Sequence, residues 1–261
     1  MFVGALVPYE VTPPMPENSH PGSATGSVEA ADDRDAGPFA RDRFVGRQGR
    51  FLDRLGIRDR PWLVFGSAPD PTVPETLRRG FARIDINNAG RSAAAMGLGR
   101  ADLTIRAKKK SWTEHPHLDT RGLLWIHTAP EIFLRLLVTP KPHDHIGRIA
   151  ALRRRDREAM VTHVSGSSVE AIGDLGKVTN GVAAICYGLL LGVPQIVVAG
   201  ISLSKVGHSY DDLGRVRRQT DEDSFILDRL RDHPRLFTTE TDLARDSGLA
   251  LWTPDRQLPA R

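Results

Sequence analysis

Two stretches of this chain hold the residue types that bind anionic groups and move protons. The first is Lys177-Val178-Thr179-Asn180-Gly181, which runs into an apolar segment from Val182 to Leu191. A Thr-Asn-Gly step ahead of such a segment reads as a helix start. The first turn of a helix carries N–H groups with no intrahelical acceptor, and these can meet a phosphate. The second stretch is the apolar Ile196-Val197-Val198-Ala199, then Gly200-Ile201-Ser202-Leu203-Ser204 and Gly207-His208-Ser209-Tyr210. It reads as a buried strand that delivers hydroxyls, an imidazole and a phenol to the same sheet edge. The phenol of Tyr210 suits donation to a phosphate, and the imidazole of His208 titrates in the range needed to take a proton from a hydroxyl.

Three further stretches have the same strand-then-turn character. In Val64-Phe65-Gly66-Ser67-Ala68-Pro69-Asp70, small residues after a buried run let backbone amides approach an anion, although close packing alone asks for the same residues. In Ile84-Asp85-Ile86-Asn87-Asn88-Ala89-Gly90, an Asn at a strand end is a good helix cap. As a ligand it offers both a donor and an acceptor to a ribose or base edge. A third run ends in Arg106, with Lys108-Lys109-Lys110 beyond it; these are either a solvated face or anion partners. His115 with His117, and His143 with His145, are pairs without the third and fourth ligands a metal site needs, so no metal is expected. Ser165-Gly166-Ser167-Ser168 lacks the frame of a nucleophilic serine.

The elements that must position these residues follow from hydrophobic patterning. Apolar runs at 62–65, 82–86, 102–105, 123–126, 161–164 and 195–199 alternate with helical patterns at 76–79, 89–96, 131–137, 181–191, 221–231 and 240–246. This rhythm predicts a single Rossmann-like α/β domain over residues 44–261, with a mostly parallel sheet and helices on both faces. Arg148 to Met160 reads as a helix whose five arginines form a solvated face. Residues 1–43, rich in Pro, Gly, Ser and acidic residues, read as a disordered segment.

Composition narrows the function classes. The 261 residues are 40% hydrophobic, enough for one substantial core. Lys and Arg number 36 against 32 Asp and Glu, a net charge of +4 without one long basic block, which fits small anionic ligands better than nucleic acid. The single cysteine, Cys186, sits among apolar residues and reads as core in a reducing, cytoplasmic compartment. The apolar start, Met1 to Pro8, lacks the charge and length of a secretory leader, and no run is long enough to span a bilayer.

In these motifs the chain resembles the bacterial sialyltransferases of glycosyltransferase family 42 and, more loosely, family 29. The resemblance runs in order over most of residues 62 to 252 and is strongest from Thr179 to Tyr210. The family's Gly-Asn-Gly-Pro-Ser strand end falls on Gly66-Ser67-Ala68-Pro69-Asp70, a strand-end Asn falls on Asn87, and its Thr-Ser-Gly helix start falls on Thr179-Asn180-Gly181. Its second phosphate-binding tyrosine matches Tyr210, and Ser204 stands where the first would be. The resemblance implies that Gly66, Ser67, Ala68, Asn87, Thr179, Asn180, Gly181, Ser204 and Tyr210 bind a CMP-activated sugar; the cations Arg106 and Lys177, beside these motifs, join them as substrate-binding candidates read from the residues. The resemblance implies no cofactor, and as acceptor a glycan or a glycolipid, the latter bringing the protein peripherally to a membrane. The family's catalytic histidine is replaced by Arg217-Arg218-Gln219-Thr220-Asp221, which leaves His208 as the candidate base. Two other readings stay open. One is a pyrophosphokinase of the pterin-pathway type, for which Asp85 and Asp102 are poor metal ligands; the other is a non-catalytic nucleotide-binding protein.

Overall fold

Runs of four or five consecutive apolar residues, such as Trp62-Leu63-Val64-Phe65, suit strands covered on both faces, because each side chain in turn meets a different layer. A computed structural model of the chain describes residues 39–107, 118–138, 145–210, 214 and 218–256, all within one unit, Gly37–Arg261. Among these residues the strands are β1 (Trp62–Phe65), β2 (Ala82–Ile86), β3 (Ala101–Ala107), β4 (Thr120–Ile126), β5 (Arg148–Leu152), β6 (Ile196–Ala199) and β7 (Leu236–Thr238). They form one sheet in the order β5-β4-β3-β2-β1-β6-β7, with every pairing parallel.

Helices cover both faces: α1 (Arg41–Leu55), α2 (Glu75–Gly80), α3 (Ala89–Ala95), α4 (Glu131–Val138), α5 (Arg154–Ser165), α6 (Asn180–Leu190), α7 (Thr220–Leu230) and α8 (Thr241–Ser247). Alternate strand residues separate the layers. Trp62, Val64, Ile196 and Val198 join the core beneath α1, α5, α6 and α7, while Leu63, Phe65, Val197 and Ala199 join the core beneath α2 and α3. On β4, Leu123 and Trp125 face α4.

The strand order creates the site. From β1 the chain adds β2 to β5 on one side, then returns to lay β6 and β7 on the other. Crossovers therefore diverge at the β1–β6 pair, and the carboxyl ends of those strands are where sheets of this topology form a ligand crevice. Two glycines two turns apart bring α6 close to this seam. A Cβ on Gly188 would lie 2.7 Å from Ile196 and 3.0 Å from Trp62, and one on Gly181 would lie 2.7 Å from the Ile201 side chain.

Three expectations are corrected, and two features come in addition. Arg148 to Met160 is not one helix: Ile149-Ala150-Ala151-Leu152 alternates between faces as edge strand β5, and α5 starts only after Arg153. The arginines there are not all solvated, since Arg157 is buried and donates to the Val178 carbonyl. Val161 to Val164 is the end of α5 rather than a strand, because the helical period continues through Met160, Val161 and Val164 onto the core. Strand β7 was not expected, and α1 starts at Arg41, ahead of Phe44. No helix among the described residues is long and apolar enough to cross a membrane. The stretch 1–38, Lys108 to Lys110, His115, His117, His143 and Arg217 lie outside the described residues.

Candidate active site at the sheet switch point

Gly66 and Gly200 end β1 and β6 side by side. The Gly66 N–H donates to the Ala199 carbonyl (2.8 Å) and the Ala68 N–H to the Gly200 carbonyl (2.7 Å). Gly200 is left-handed (φ 63°), and a Cβ there would lie 2.7 Å from the Gly66 oxygen, so glycine is required by both conformation and space. Glu240, the residue before α8, pins this corner from behind by accepting the N–H groups of Gly200 (2.8 Å) and Thr72 (2.9 Å). Burial raises its carboxyl above the usual range, and those two N–H groups oppose the rise.

The start of α6 faces the same corner. Thr179 is the N-cap: its hydroxyl accepts from the Val182 N–H (3.4 Å) and donates to Asp223 (2.7 Å), which also takes the Thr179 N–H (2.7 Å). Gln219, just before α7, donates to the Lys177 and Val178 carbonyls, each at 2.8 Å. The amides of Thr179, Val182 and Ala183 are thus taken, and those of Asn180 and Gly181 have no acceptor among the described residues.

Asn87 joins this helix start to β2. Its backbone is left-handed (φ 54°), and its side-chain oxygen accepts from the Asn180 amide (2.9 Å) and the Ala107 N–H (3.1 Å). Arg106 is fully buried, donating to Asn88 (2.7 Å) and the Asn87 carbonyl (3.4 Å). Its guanidinium braces this corner from within. Asn88 is likewise buried, and Asn87 is the strand-end amide whose side chain is bonded to Asn180 of α6.

The loop after β6 closes the other side. Ser67 Oγ lies 2.9 Å from His208 Nδ1, and the Ser67 carbonyl accepts from the Ser209 N–H (2.9 Å). The hydroxyls of Ser209 and Ser92, the latter on α3, share a short hydrogen bond. The His208 and Tyr210 rings stack in parallel (centroids 5.0 Å apart, planes 6° apart), and the Arg91 guanidinium lies over Tyr210 (4.7 Å).

The expected residues are therefore largely gathered. Gly66, Ala68 and Ser67 meet the β6 loop, His208 meets Ser67 and Tyr210, and Asn87 meets Asn180. Ser204 is exposed on the loop, and its N–H donates to Ser202 Oγ (3.2 Å). Lys177 enters the site's support through its carbonyl. Asp223, Gln219, Arg91, Ser92 and Ser209 were missed, and their first-turn or loop positions beside the motifs were the available signal. No group of metal-ligating residues occurs among the described residues, and His145 is bonded to the Leu118 carbonyl (2.9 Å). A cavity of about 70 Å³ opens at the other end of β1 to β3, but its Arg83 is tied to Asp85 (2.9 Å) and to the Gly99 carbonyl (2.7 Å).

With this geometry in view, comparison with solved structures finds backbones of similar arrangement. These neighbours are sialyltransferases. The enzyme CstII of Campylobacter jejuni in complex with the substrate analogue CMP-3FNeuAc is 12% identical, with 74% of this chain and 86% of that chain covered and a TM-score of 0.42. The sialyltransferase CST-II with a trisaccharide acceptor and CMP is 12% identical over 76% of this chain and 88% of that one, with a TM-score of 0.47. Monomeric CstII is 14% identical over 73% and 86%, with a TM-score of 0.43. These values assign no role to any residue. No family model matches the chain, and neither does any curated protein.

Proposed function

We propose that this chain is a glycosyltransferase that moves a sugar of the nonulosonic acid class from a cytidine monophosphate donor to a hydroxyl of a glycan or glycolipid. The observation that carries the reading is the pair of N–H groups of Asn180 and Gly181. Among the described residues neither has an acceptor, at a helix start that Asp223, Gln219 and Asn87 hold beside the switch point. Such amides, with the helix dipole behind them, suit a phosphate. The motif resemblance supplies the identity of the nucleotide.

In this reading the phosphate meets the α6 amides and the Tyr210 hydroxyl, and Asn87 reads the nucleoside. Ser67 holds His208 through Nδ1. For Nε2 to act as a base, Nδ1 carries the imidazole hydrogen and donates it to Ser67 Oγ. Nε2 then takes the acceptor's hydroxyl proton as that oxygen bonds to the anomeric carbon. The bond from that carbon to the phosphate oxygen breaks, and its electron pair remains on CMP, where the amides and the phenol meet the charge.

Calorimetric titration of the full chain with CMP, AMP and GMP tests the reading. CMP is expected to bind tightest, and Tyr210→Phe to weaken it by about 1 kcal/mol or more. A chain that binds no cytidine nucleotide sinks the proposal, and an unchanged affinity in a folded Tyr210→Phe variant removes that residue from the site.

A further inference from the structure

The cations around the switch point differ in how they are occupied. Arg106 is buried and bonded to Asn88. Lys205 donates to the Pro69 carbonyl (3.0 Å) and lies 3.8 Å from Glu240 and 3.9 Å from Asp242. Arg91 is exposed on the first turn of α3, and among the described residues its guanidinium has no carboxylate or carbonyl partner. Its one contact of note is with the face of the Tyr210 ring, 4.7 Å from the centroid. A contact with a ring face fixes where a guanidinium sits without using its N–H donors, whose fork matches an oxyanion.

The surroundings of Arg91 tie it to the proposed ligand site. Its own N–H donates to the Asn88 carbonyl (3.0 Å), so it belongs to the corner whose Asn87 is bonded to Asn180. The next residue, Ser92, is bonded to Ser209, between His208 and Tyr210. A cation with no carboxylate or carbonyl partner among the described residues thus lies on the histidine loop, carried by the helix that follows the Asn87 corner.

We propose that Arg91 is a specificity-determining residue of the site and pairs with the phosphate of the nucleoside monophosphate, alongside the Tyr210 hydroxyl and the α6 amides. The inference rests on the nucleotide reading above and adds a charge-assisted contact that discriminates a nucleotide from its nucleoside. Arg91 lies over the Tyr210 ring, which in turn stacks on His208.

The test is the affinity of the full chain for CMP and for cytidine, measured by calorimetry in the unaltered protein, Arg91→Ala and Arg91→Met. Arg91→Met keeps an apolar contact on Tyr210 without the charge. Both variants are expected to bind CMP about ten-fold or more weakly, to bind cytidine unchanged, and to show a shallower salt dependence of CMP binding. Equal CMP affinity in all three proteins overturns the inference while leaving the nucleotide reading intact. So does a full recovery of CMP affinity in Arg91→Met, which would make Arg91 a prop for the ring. If the unaltered chain binds neither CMP nor cytidine, the nucleotide reading itself fails, and this inference with it.

Discussion

Within the site, individual residues divide into those that would touch ligand and those that hold them. Among the described residues His208 is the imidazole gathered there, and Ser67 Oγ lies 2.9 Å from its Nδ1. His208→Ala is expected to lower turnover about 100-fold while leaving CMP affinity nearly unchanged, as loss of a general base does. Ser67→Ala should cost only about five-fold, the worth of one net hydrogen bond, because the imidazole remains but loses its orientation. Release of CMP in the presence of a panel of glycan acceptors measures both. Full turnover in His208→Ala would end the assignment of the base. At the same scale, the surroundings of Arg106 were not legible in the sequence. A strand-end arginine reads as an anion partner, yet this one is wholly buried, and only the three-dimensional course of Asn87 and Asn88 reveals its acceptors.

At the level of elements, the close approach of β1 and β6 governs the crevice. Gly200→Ala would set a Cβ 2.7 Å from the Gly66 oxygen at a left-handed backbone position. It should destabilise the chain by more than about 1 kcal/mol. Gly181→Ala meets only the far end of the Ile201 side chain and should cost less. Urea midpoints of the two variants compare them, and equal losses would contradict the packing described. Much of this layer was legible in the sequence. Strands β1, β2 and β6 and helices α3 and α6 lie within a residue or two of where apolar runs, turn residues and the Thr-Asn-Gly step place them. What was not legible has physical causes. In β5 the two-residue period is short and crowded by arginines, and it merges with the helical pattern of α5. Strand β7 spans only three residues, Leu236–Thr238. The grip of Asp223 on Thr179 joins residues 44 apart, and no local pattern announces it.

Taken as a whole, the molecule is organised around α6, which packs on β1, β2, β3 and β6 and against α5 and α7. Its free end forms the candidate phosphate site, and its middle carries Cys186, fully buried, with a thiol pushed up to about 12 by that burial. The native thiol is therefore both shielded and un-ionised, and a disulfide reagent can reach it only when α6 leaves the core. The chain's single cysteine thus serves as an internal clock for the opening of its central helix. A ligand seated on the helix start should hold that clock back, slowing labelling about 100-fold when CMP is present at 100 times its dissociation constant. A labelling rate indifferent to CMP, in a chain that binds CMP, would mean that the nucleotide rests elsewhere than on α6.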